Sequence, residues 1–208
     1  MDSPALGLYV AASLALIATP GQDMLYVVSR SLAQGRLAGV ASALGVCLGI
    51  LVHTALAALG VGAVLRASPE LFLALKLGGA AYLAWLGLRL LLAPAKAGIA
   101  AAATRRASLA SLVWQGVVSN VSNPKIVLFF VAFLPQFVDP ASSHATRDLA
   151  FLGVLYAALA LPVKSAVGLA AGAFSERILR SPAAFAWMNR ASGAILIALG
   201  AKLAAARA

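Results

Sequence analysis

Six apolar stretches follow one another along the chain, and short polar segments separate them. They lie at about residues 4–28, 37–65, 70–93, 111–138, 149–173 and 183–203. Each can supply the roughly 20 apolar residues that a helix needs to cross a bilayer. Because 62% of the residues are hydrophobic and only 11% are charged, little of the chain is left for a soluble part. The sequence therefore predicts an all-α membrane protein with six transmembrane helices.

The formal net charge is +10, which raises nucleic-acid binding as an alternative. The basic residues lie mainly at the ends of the predicted helices, however, and the sequence shows no aromatic and basic surface on which bases could stack. If six helices alternate in direction, eight basic residues share one side of the membrane: Arg30, Arg36, Arg89, Lys96, Arg105, Arg106, Arg177 and Arg180. Four share the other side: Arg66, Arg147, Lys202 and Arg207. Since cytoplasmic loops carry the excess of Lys and Arg, we expect both termini in the periplasm and no nucleic-acid partner.

Polar residues interrupt the predicted spans one and four. The two interruptions are Thr19-Pro20-Gly21-Gln22-Asp23 and Asn123-Pro124-Lys125. In each, a residue that can cap a helix precedes a proline, which suits the first helical position because its missing N–H has no partner there anyway. At about 1.5 Å per residue, both interruptions lie roughly 20 to 24 Å from the start of their spans. We therefore predict that helices one and four are broken in mid-membrane, with new half-helices that begin at Pro20 and Pro124.

The two halves of the chain match each other at an offset of 113 residues, which superposes helix three on helix six. The matched pairs include Gly87 with Gly200, Arg89 with Lys202, and Ser68-Pro69 with Ser181-Pro182. Chance similarity between helices rich in Ala and Leu is the alternative. A copy of three helices is odd in number, so the second copy enters the membrane from the opposite side, as in many transporters. We predict two inverted three-helix repeats at residues 1–93 and 111–208, joined by a cytoplasmic linker at 94–110.

Small residues recur at fourfold spacing in helix two, at Ala41, Gly45 and Gly49, and His53 continues the same face. Such a stripe lets helix backbones approach closely in lipid, so we expect it to face another helix. His53 would then point inward, as a hydrogen-bonded packing residue or, alternatively, as a proton relay. Pro162 has no capping residue before it and predicts a kink in helix five.

Four charged residues lie inside the predicted spans: Asp23, Lys76, Lys125 and Lys164. A charge at a helix centre costs about 2.5 to 3.5 kcal/mol, so we expect these side chains to face inward or to pair. A half-helix start attracts the carboxylate of a ligand, and Lys125 or Lys76 could help to hold that carboxylate or form an ion pair with Asp23 when the site is empty. Asp23 and the carbonyls freed before each break would receive the ammonium group of the ligand. Asp23 is also the candidate for proton coupling. The alternative is that Asp23 and Lys125 only neutralise each other.

The predicted site thus suits a zwitterionic amino acid. The residues assigned to it are Thr19, Pro20, Gly21, Gln22, Asp23, Lys76, Asn123, Pro124 and Lys125. A single cysteine, Cys47, excludes an intrachain disulfide, and no Cys, His and carboxylate cluster suggests a metal site. We expect no cofactor and no metal, with the substrate, protons and membrane lipid as partners, and a homodimer stays open.

These residues resemble the LysE/RhtB family of bacterial amino-acid exporters. The resemblance covers essentially the whole chain, and it rests on residues 18–23, on Lys76 with residues 79–83 and 86–87, and on residues 123–125, 129–130 and 133–137. The family pattern has a second proline where this chain has Gln22. The resemblance implies an inner-membrane exporter of small neutral amino acids or derivatives, such as threonine, homoserine or its lactone, leucine, cysteine or O-acetylserine, driven by the proton gradient.

Two other classes of protein compete with an exporter. An intramembrane enzyme needs a cluster of acid, His or Arg groups, or a cysteine pair, and the sequence shows neither. A structural or accessory membrane protein would explain the helices, but it gives no reason for two capped breaks at corresponding positions. The sequence therefore favours a transporter that is not an enzyme.

Overall fold

The computed structural model describes residues 3–61, 69–92, 106–139, 142–171 and 182–205. Within these ranges the chain is helical and has no strand. The α-helices are α1 (Ser3–Ala18), α2 (Gln22–Gln34), α3 (Arg36–Leu56), α4 (Pro69–Leu91), α5 (Leu109–Val121), α6 (Pro124–Leu128), α7 (Ala145–Ala171) and α8 (Pro182–Ala205). A π-helical turn at Ala57–Val61 extends α3, and a π-helical turn at Phe129–Phe133 and a 3-10 turn at Leu134–Phe137 extend α6. The predicted all-α fold is confirmed, while most of the predicted linker lies outside the described residues.

Two of the described helical stretches, Arg36–Gly60 and Ala145–Ala170, are long and apolar enough to cross a membrane. Two bent pairs also qualify if each is one span: α1 with α2, bent by 49°, and α5 with Pro124–Phe137, bent by 53°. Large apolar side chains stay exposed on these helices, among them Leu44, Leu48, Leu51, Trp114, Phe151 and Val154. Exposed apolar surface of this extent marks contact with lipid or a partner. The chain is a multi-pass membrane protein, and six spans stay a prediction.

The second break has the predicted form. α5 ends at Val121, and α6 begins at Pro124. The side-chain oxygen of Asn123 accepts a hydrogen bond of 3.1 Å from the backbone N–H of Lys125. Asn123 therefore caps α6, and Pro124 occupies the first helical position, where it leaves no N–H unpaired.

The first break is built differently, and the prediction that Pro20 opens a new helix is wrong. The Thr19 hydroxyl donates to the carbonyl of Ala15 at 2.8 Å, so Thr19 completes the last turn of α1 and caps nothing. α2 begins at Gln22 after Gly21, with no side-chain cap. A threonine hydroxyl can bond the carbonyl four residues back as readily as a following N–H. Asp23, in the first turn of α2, supplies the negative charge that suits a helix start.

The small-residue stripe of helix two faces α5, as predicted. Gly45 lies against Val113, and a Cβ on Gly49 would lie 2.7 Å from the Cβ of Asn120. From the other side, a Cβ on Gly116 would lie 2.9 Å from the Cα of Gly45. The two backbones approach this closely because neither helix carries a side chain at the crossing.

Helices α3 and α7 pack against each other in opposite directions. At one end, a Cβ on Gly39 would lie 2.9 Å from the Cα of Gly168, and at the other end Gly153 lies against Thr54. Residue numbers therefore rise along α3 while they fall along α7. Pro162 lies inside α7, which continues through it as one helix.

Helices α4 and α8 form a second antiparallel pair, and it also packs through small residues. A Cβ on Gly87 would lie 2.6 Å from the carbonyl oxygen of Gly193, and a Cβ on Gly200 would lie 2.8 Å from that of Ala80. The helices begin at Pro69 and Pro182, the prolines that the sequence comparison superposes, although the serines before them lie outside the described residues.

Aromatic side chains fill the core between α1, α7 and the turns after α6. This aromatic cluster consists of Tyr9, Phe129, Phe130, Phe133, Phe137 and Tyr156. Its ring centroids lie 4.8 Å apart for Phe129 and Tyr156 and 5.2 Å apart for Tyr9 and Phe137. The Tyr9 hydroxyl donates to the carbonyl of Leu152 at 2.7 Å. Most of these rings are almost fully buried, and the cluster begins at Phe129, one turn after the second break.

Candidate functional site

Asp23, in the first turn of α2, is a carboxylate removed from water, with 2% of its surface exposed. The side-chain amide of Asn120 donates to its Oδ2 at 2.8 Å, and the Lys164 ammonium lies 3.8 Å from the same oxygen. Its Oδ1 has no hydrogen-bond partner among the described residues. A buried charge with an unpaired acceptor is costly. Asp23 therefore offers one oxygen to a ligand that can donate a hydrogen bond.

Lys164 on α7 is the cation that pairs with Asp23, and its side chain is 6% exposed. The sequence placed Lys164 inside a span but gave it no role, and it offered Lys125 or Lys76 as partners of Asp23 in an empty site. In the structure Lys164 is beside Asp23, because α7 packs against both α2 and α3 and so carries Lys164 to the start of α2, while the side chain of Lys76 lies outside the described part of the structure. A carboxylate inside a membrane needs a counter-ion. The predicted spans contain three lysines that could pair with Asp23, and only the packing of the helices decides which of them does.

Lys125 holds the end of α1 instead. Its ammonium donates to the carbonyls of Leu16 and Thr19, each at 3.2 Å. The Leu16 carbonyl lies in the last turn of α1, where it also accepts from the Thr19 N–H at 3.2 Å, and the Thr19 carbonyl directly follows that turn, where the helix supplies no further N–H. Gly21 leaves room for this contact, because a Cβ there would lie 3.2 Å from the Lys125 Nζ. Two of the carbonyls that we expected to receive a substrate ammonium group, those of Leu16 and Thr19, are therefore bonded to Lys125 in this conformation.

Asn120, which the sequence analysis did not select, joins the second break to the site. Its carbonyl accepts a hydrogen bond of 2.9 Å from the N–H of Asn123 and lies 3.2 Å from the Nε2 of His53. A carbonyl can only accept, so the Nε2 of His53 is the donor in this contact. His53 is buried and lies against Phe130, with ring centroids 5.8 Å apart. It is thus the hydrogen-bonded inward residue that the sequence predicted, and it binds the end of α5 much as Lys125 binds the end of α1.

Two more buried polar atoms at the second break lack a partner among the described residues: the Oδ1 of Asn120 and the Nδ2 of Asn123. Asn120 is 0% exposed and Asn123 is 3% exposed. Buried amide groups are normally satisfied. Together with the Oδ1 of Asp23, they provide two acceptors and one donor for a polar ligand.

The structure brings some of the predicted site residues together and separates others. Thr19, Gly21, Asp23, Asn123 and Lys125 lie at the two breaks. Pro20 is buried between α1 and α2, Pro124 is exposed, and Lys76 lies on α4 with its side chain outside the described part of the structure. Within the described residues, no three His, Cys, Asp or Glu side chains form a group that could hold a metal ion.

Gln22 belongs to a different feature, a row of polar side chains on one face of α2 that contacts α5 and the chain before it. We call this row the polar seam, and its members are Gln22, Tyr26, Arg30 and Gln34. Their partners are the Ser119 carbonyl at 3.1 Å, the Leu112 carbonyl at 2.6 Å, the Gln115 Oε1 at 2.7 Å and the Ala107 N–H at 2.8 Å. The polar seam was not predicted from the sequence, although its fourfold spacing marks one helix face.

The fold and the site thus define a multi-pass membrane protein that buries a charged cluster where two broken helices meet. The chain matches the LysE type translocator family model over residues 14–207, and it belongs to this family. The family resemblance inferred from the sequence motifs is confirmed. No solved structure matches the chain.

Curated relatives match the chain over nearly its full length. A homoserine/homoserine lactone efflux protein of Salmonella typhimurium is 30% identical over 96% of this chain and 95% of its own length. A leucine efflux protein of Enterobacter sp. (strain 638) is 28% identical over 94% of this chain and 93% of its own length. An uncharacterized membrane protein of Pseudomonas aeruginosa is 34% identical over 98% of both chains. Efflux of amino-acid compounds thus occurs among its relatives.

Proposed function

We propose that this protein is a secondary active exporter of small neutral amino acids or their derivatives, coupled to protons and located in the bacterial inner membrane. The family and the two efflux relatives support an amino-acid exporter. Leucine and homoserine, named for those relatives, carry the same α-ammonium and α-carboxylate groups, so one site chemistry would serve both.

The observation that carries this proposal is the buried, half-satisfied carboxylate of Asp23 between the two breaks. A substrate ammonium group has three donors, and the Oδ1 atoms of Asp23 and Asn120 are unpaired acceptors among the described residues. A substrate carboxylate needs donors, and the unpaired Nδ2 of Asn123 and the ammonium of Lys125 supply them. Both groups of a zwitterion thus have complementary partners, the ammonium group from α2 and α5 and the carboxylate from α6 and the turn before it.

The architecture that we propose is six spans in two inverted three-helix repeats, at residues 1–93 and 111–208. Antiparallel packing of corresponding helices supports it, since α3 runs against α7 and α4 against α8. The two broken helices also run in opposite directions. Gln22 contacts Ser119, whereas Gln34, further along α2, contacts Ala107, which precedes Ser119 in the sequence. Repeats of opposite orientation allow alternating access when one repeat moves against the other.

Asp23 is the residue at which substrate binding and proton coupling meet in this proposal. A carboxylate changes its protonation when the charges around it change, and Asp23 has a cation beside it and an unused oxygen. The proton exchange takes place either on Asp23 itself or on a group that pairs with it.

Transport by purified protein in liposomes tests the proposal and separates it from its rivals. We expect efflux of labelled leucine, homoserine or threonine when the external side is acidic. Asp23→Asn keeps the shape but removes the charge, so we expect efflux to fall by at least about tenfold, the equivalent of one lost charged contact. Asp148→Asn at the start of α7 is the matched control and should transport normally. Wild-type efflux rates and an unchanged response to pH in Asp23→Asn would refute the assignment of Asp23.

The rival classes predict a different result in the same assay. A structural or accessory membrane protein would move none of these compounds when it is the sole protein in the liposome. An intramembrane enzyme would convert a substrate chemically, which chromatography of the liposome contents would reveal. Export of the unmodified amino acid therefore supports the proposed carrier over both.

A further inference from the structure

Asp23 and Lys164 form an ion pair that leaves room for exchange of partners. The nitrogen and oxygen atoms lie 3.8 Å apart, beyond the roughly 2.7 to 3.2 Å of a hydrogen bond to oxygen. The shorter contact of Asp23 is the 2.8 Å hydrogen bond from Asn120. Charge attraction, not a directed hydrogen bond, therefore holds Lys164 beside Asp23. A ligand ammonium group that forms a hydrogen bond to Asp23 can therefore displace Lys164 as its partner.

The carboxylate of Asp23 stabilises the positive charge of Lys164 inside the protein. The titratable or charged groups that face it are Asp23 on α2, Cys47 on α3 and Lys125 on α6. Cys47 is a buried free thiol, and Lys125 repels a second cation. Asp23 is thus the acidic group among these neighbours. A buried ammonium that loses its counter-ion is strongly disfavoured, and loss of its proton removes the penalty.

We propose that Lys164 carries the coupled proton, because it competes with the substrate ammonium group for Asp23. When a substrate binds from the cytoplasmic side, its ammonium group takes Asp23, and Lys164 changes from an ammonium to a neutral amine by giving one proton to the cytoplasm. When the substrate leaves on the outer side, Lys164 takes one proton from there and pairs again with Asp23. One proton thus enters for each amino acid that leaves. This inference rests on the proposed function.

The charges of the site balance in this cycle. With a zwitterionic substrate bound, the negative charge of Asp23 and the positive charge of Lys125 cancel, and Lys164 is neutral. After release, Lys164 is positive again, and the site carries one net positive charge. The inside-negative membrane potential draws this charge inward, so it favours the return step and completes net export.

Two substitutions at Lys164 separate this mechanism from one in which Asp23 itself takes the proton. Lys164→Arg keeps the charge and the pairing, but a guanidinium does not release its proton in proteins. We expect its pH-driven efflux of labelled leucine and homoserine to fall by at least about tenfold. If Asp23 carries the proton, or if Lys164 is merely structural, the charge-conserving arginine should retain coupled efflux.

Lys164→Gln provides the second measurement, because a neutral side chain mimics the deprotonated lysine. We expect exchange of internal labelled for external unlabelled amino acid to continue, while the ratio of pH-driven net efflux to exchange falls by at least about tenfold. A pH indicator dye should also show proton release when leucine or homoserine is added to the purified wild-type protein, but not to Lys164→Arg.

The outcomes decide between distinct failures. Coupled efflux of Lys164→Arg within about twofold of wild type would overturn the proposal, as would an unchanged ratio in Lys164→Gln. Loss of exchange in a monodisperse Lys164→Gln protein would also overturn it, because Lys164 would then be needed for binding itself. Failure of the wild-type protein to move any amino acid would instead refute the proposed function.

Discussion

The ammonium group of Lys125 lies 3.2 Å from the carbonyl oxygen of Thr19, so a residue that follows the second break closes the helix before the first. The contact joins the two halves of the chain at their helix breaks. Unpaired carbonyls inside a membrane are costly because no water reaches them. Lys125 thus makes a helix end possible at this depth.

We expect Lys125→Ala to destabilise the protein. It removes charge-assisted hydrogen bonds to two carbonyls, and such bonds are worth about 1.5 to 3 kcal/mol each. Thermal unfolding of the purified protein in detergent should show a clearly lower Tm. Arg147→Ala is the control, since Arg147 is 73% exposed and its ion pair with Asp148 is a surface pair. Equal Tm values for both variants would show that the carbonyls at the end of α1 do not need Lys125.

We expect Gly49→Ala to impair transport through Asn120. The added methyl group would lie 2.7 Å from the Cβ of Asn120 and would push this side chain away from Asp23. Overpacking of this kind costs about 1 to 3 kcal/mol. Gly78→Ala is the matched control, because nothing lies within 4 Å of a Cβ at this helical glycine. If the two variants export labelled leucine or homoserine equally well, the position of Asn120 is not critical.

The contact between Arg30 and Gln115 in the polar seam should show measurable coupling. A hydrogen bond between a charged and a neutral group contributes about 1.5 to 3 kcal/mol, and the 2.7 Å distance is favourable. A double-mutant cycle of Arg30→Ala and Gln115→Ala, read from unfolding in detergent, should therefore be non-additive. Additive effects would mean that the seam does not hold α2 against α5.

The proposed topology makes a labelling prediction. In a Cys47→Ala background the protein has no other cysteine, since the chain contains one. Both Ser143 and Arg106 are exposed. We expect a membrane-impermeant thiol reagent added to intact cells to label Ser143→Cys and not Arg106→Cys, because the basic side of the protein faces the cytoplasm. Labelling of Arg106→Cys and not of Ser143→Cys would show that the protein has the opposite orientation in the membrane.

Local chemistry made the breaks predictable. The pair Asn123 and Pro124 specifies a helix start through a capping side chain and a ring without an N–H. The same reasoning failed at Thr19 because its hydroxyl can either accept from a following backbone N–H or donate to the carbonyl four residues back. In the structure it donates to the carbonyl of Ala15. A sequence shows which bonds a side chain can make, but the fold decides which of them forms.

The charged cluster was only half predictable. The sequence identifies Asp23 as a candidate because a carboxylate inside an apolar span is costly and therefore indicates a functional site. The pairing of Asp23 with Lys164 was not evident, since 141 positions of the sequence separate them and only the packing of α7 on α2 brings them together. Asn120 escaped notice because an uncharged amide near a helix end is common.

The aromatic cluster packs against α1 through Tyr9, whereas the polar seam runs along α2, so different interactions hold the two arms of the first broken helix. If the seam parts, water can replace its hydrogen bonds. If the aromatic cluster parts, rings that are nearly all buried meet water, and exposure of apolar surface raises the heat capacity. In the proposed transport cycle, the rate of the transition that opens the aromatic cluster should therefore give a curved Eyring plot. The rate of the transition that opens the polar seam should give a nearly linear one. The direction of the rate-limiting step can then be read from the shape of an Eyring plot.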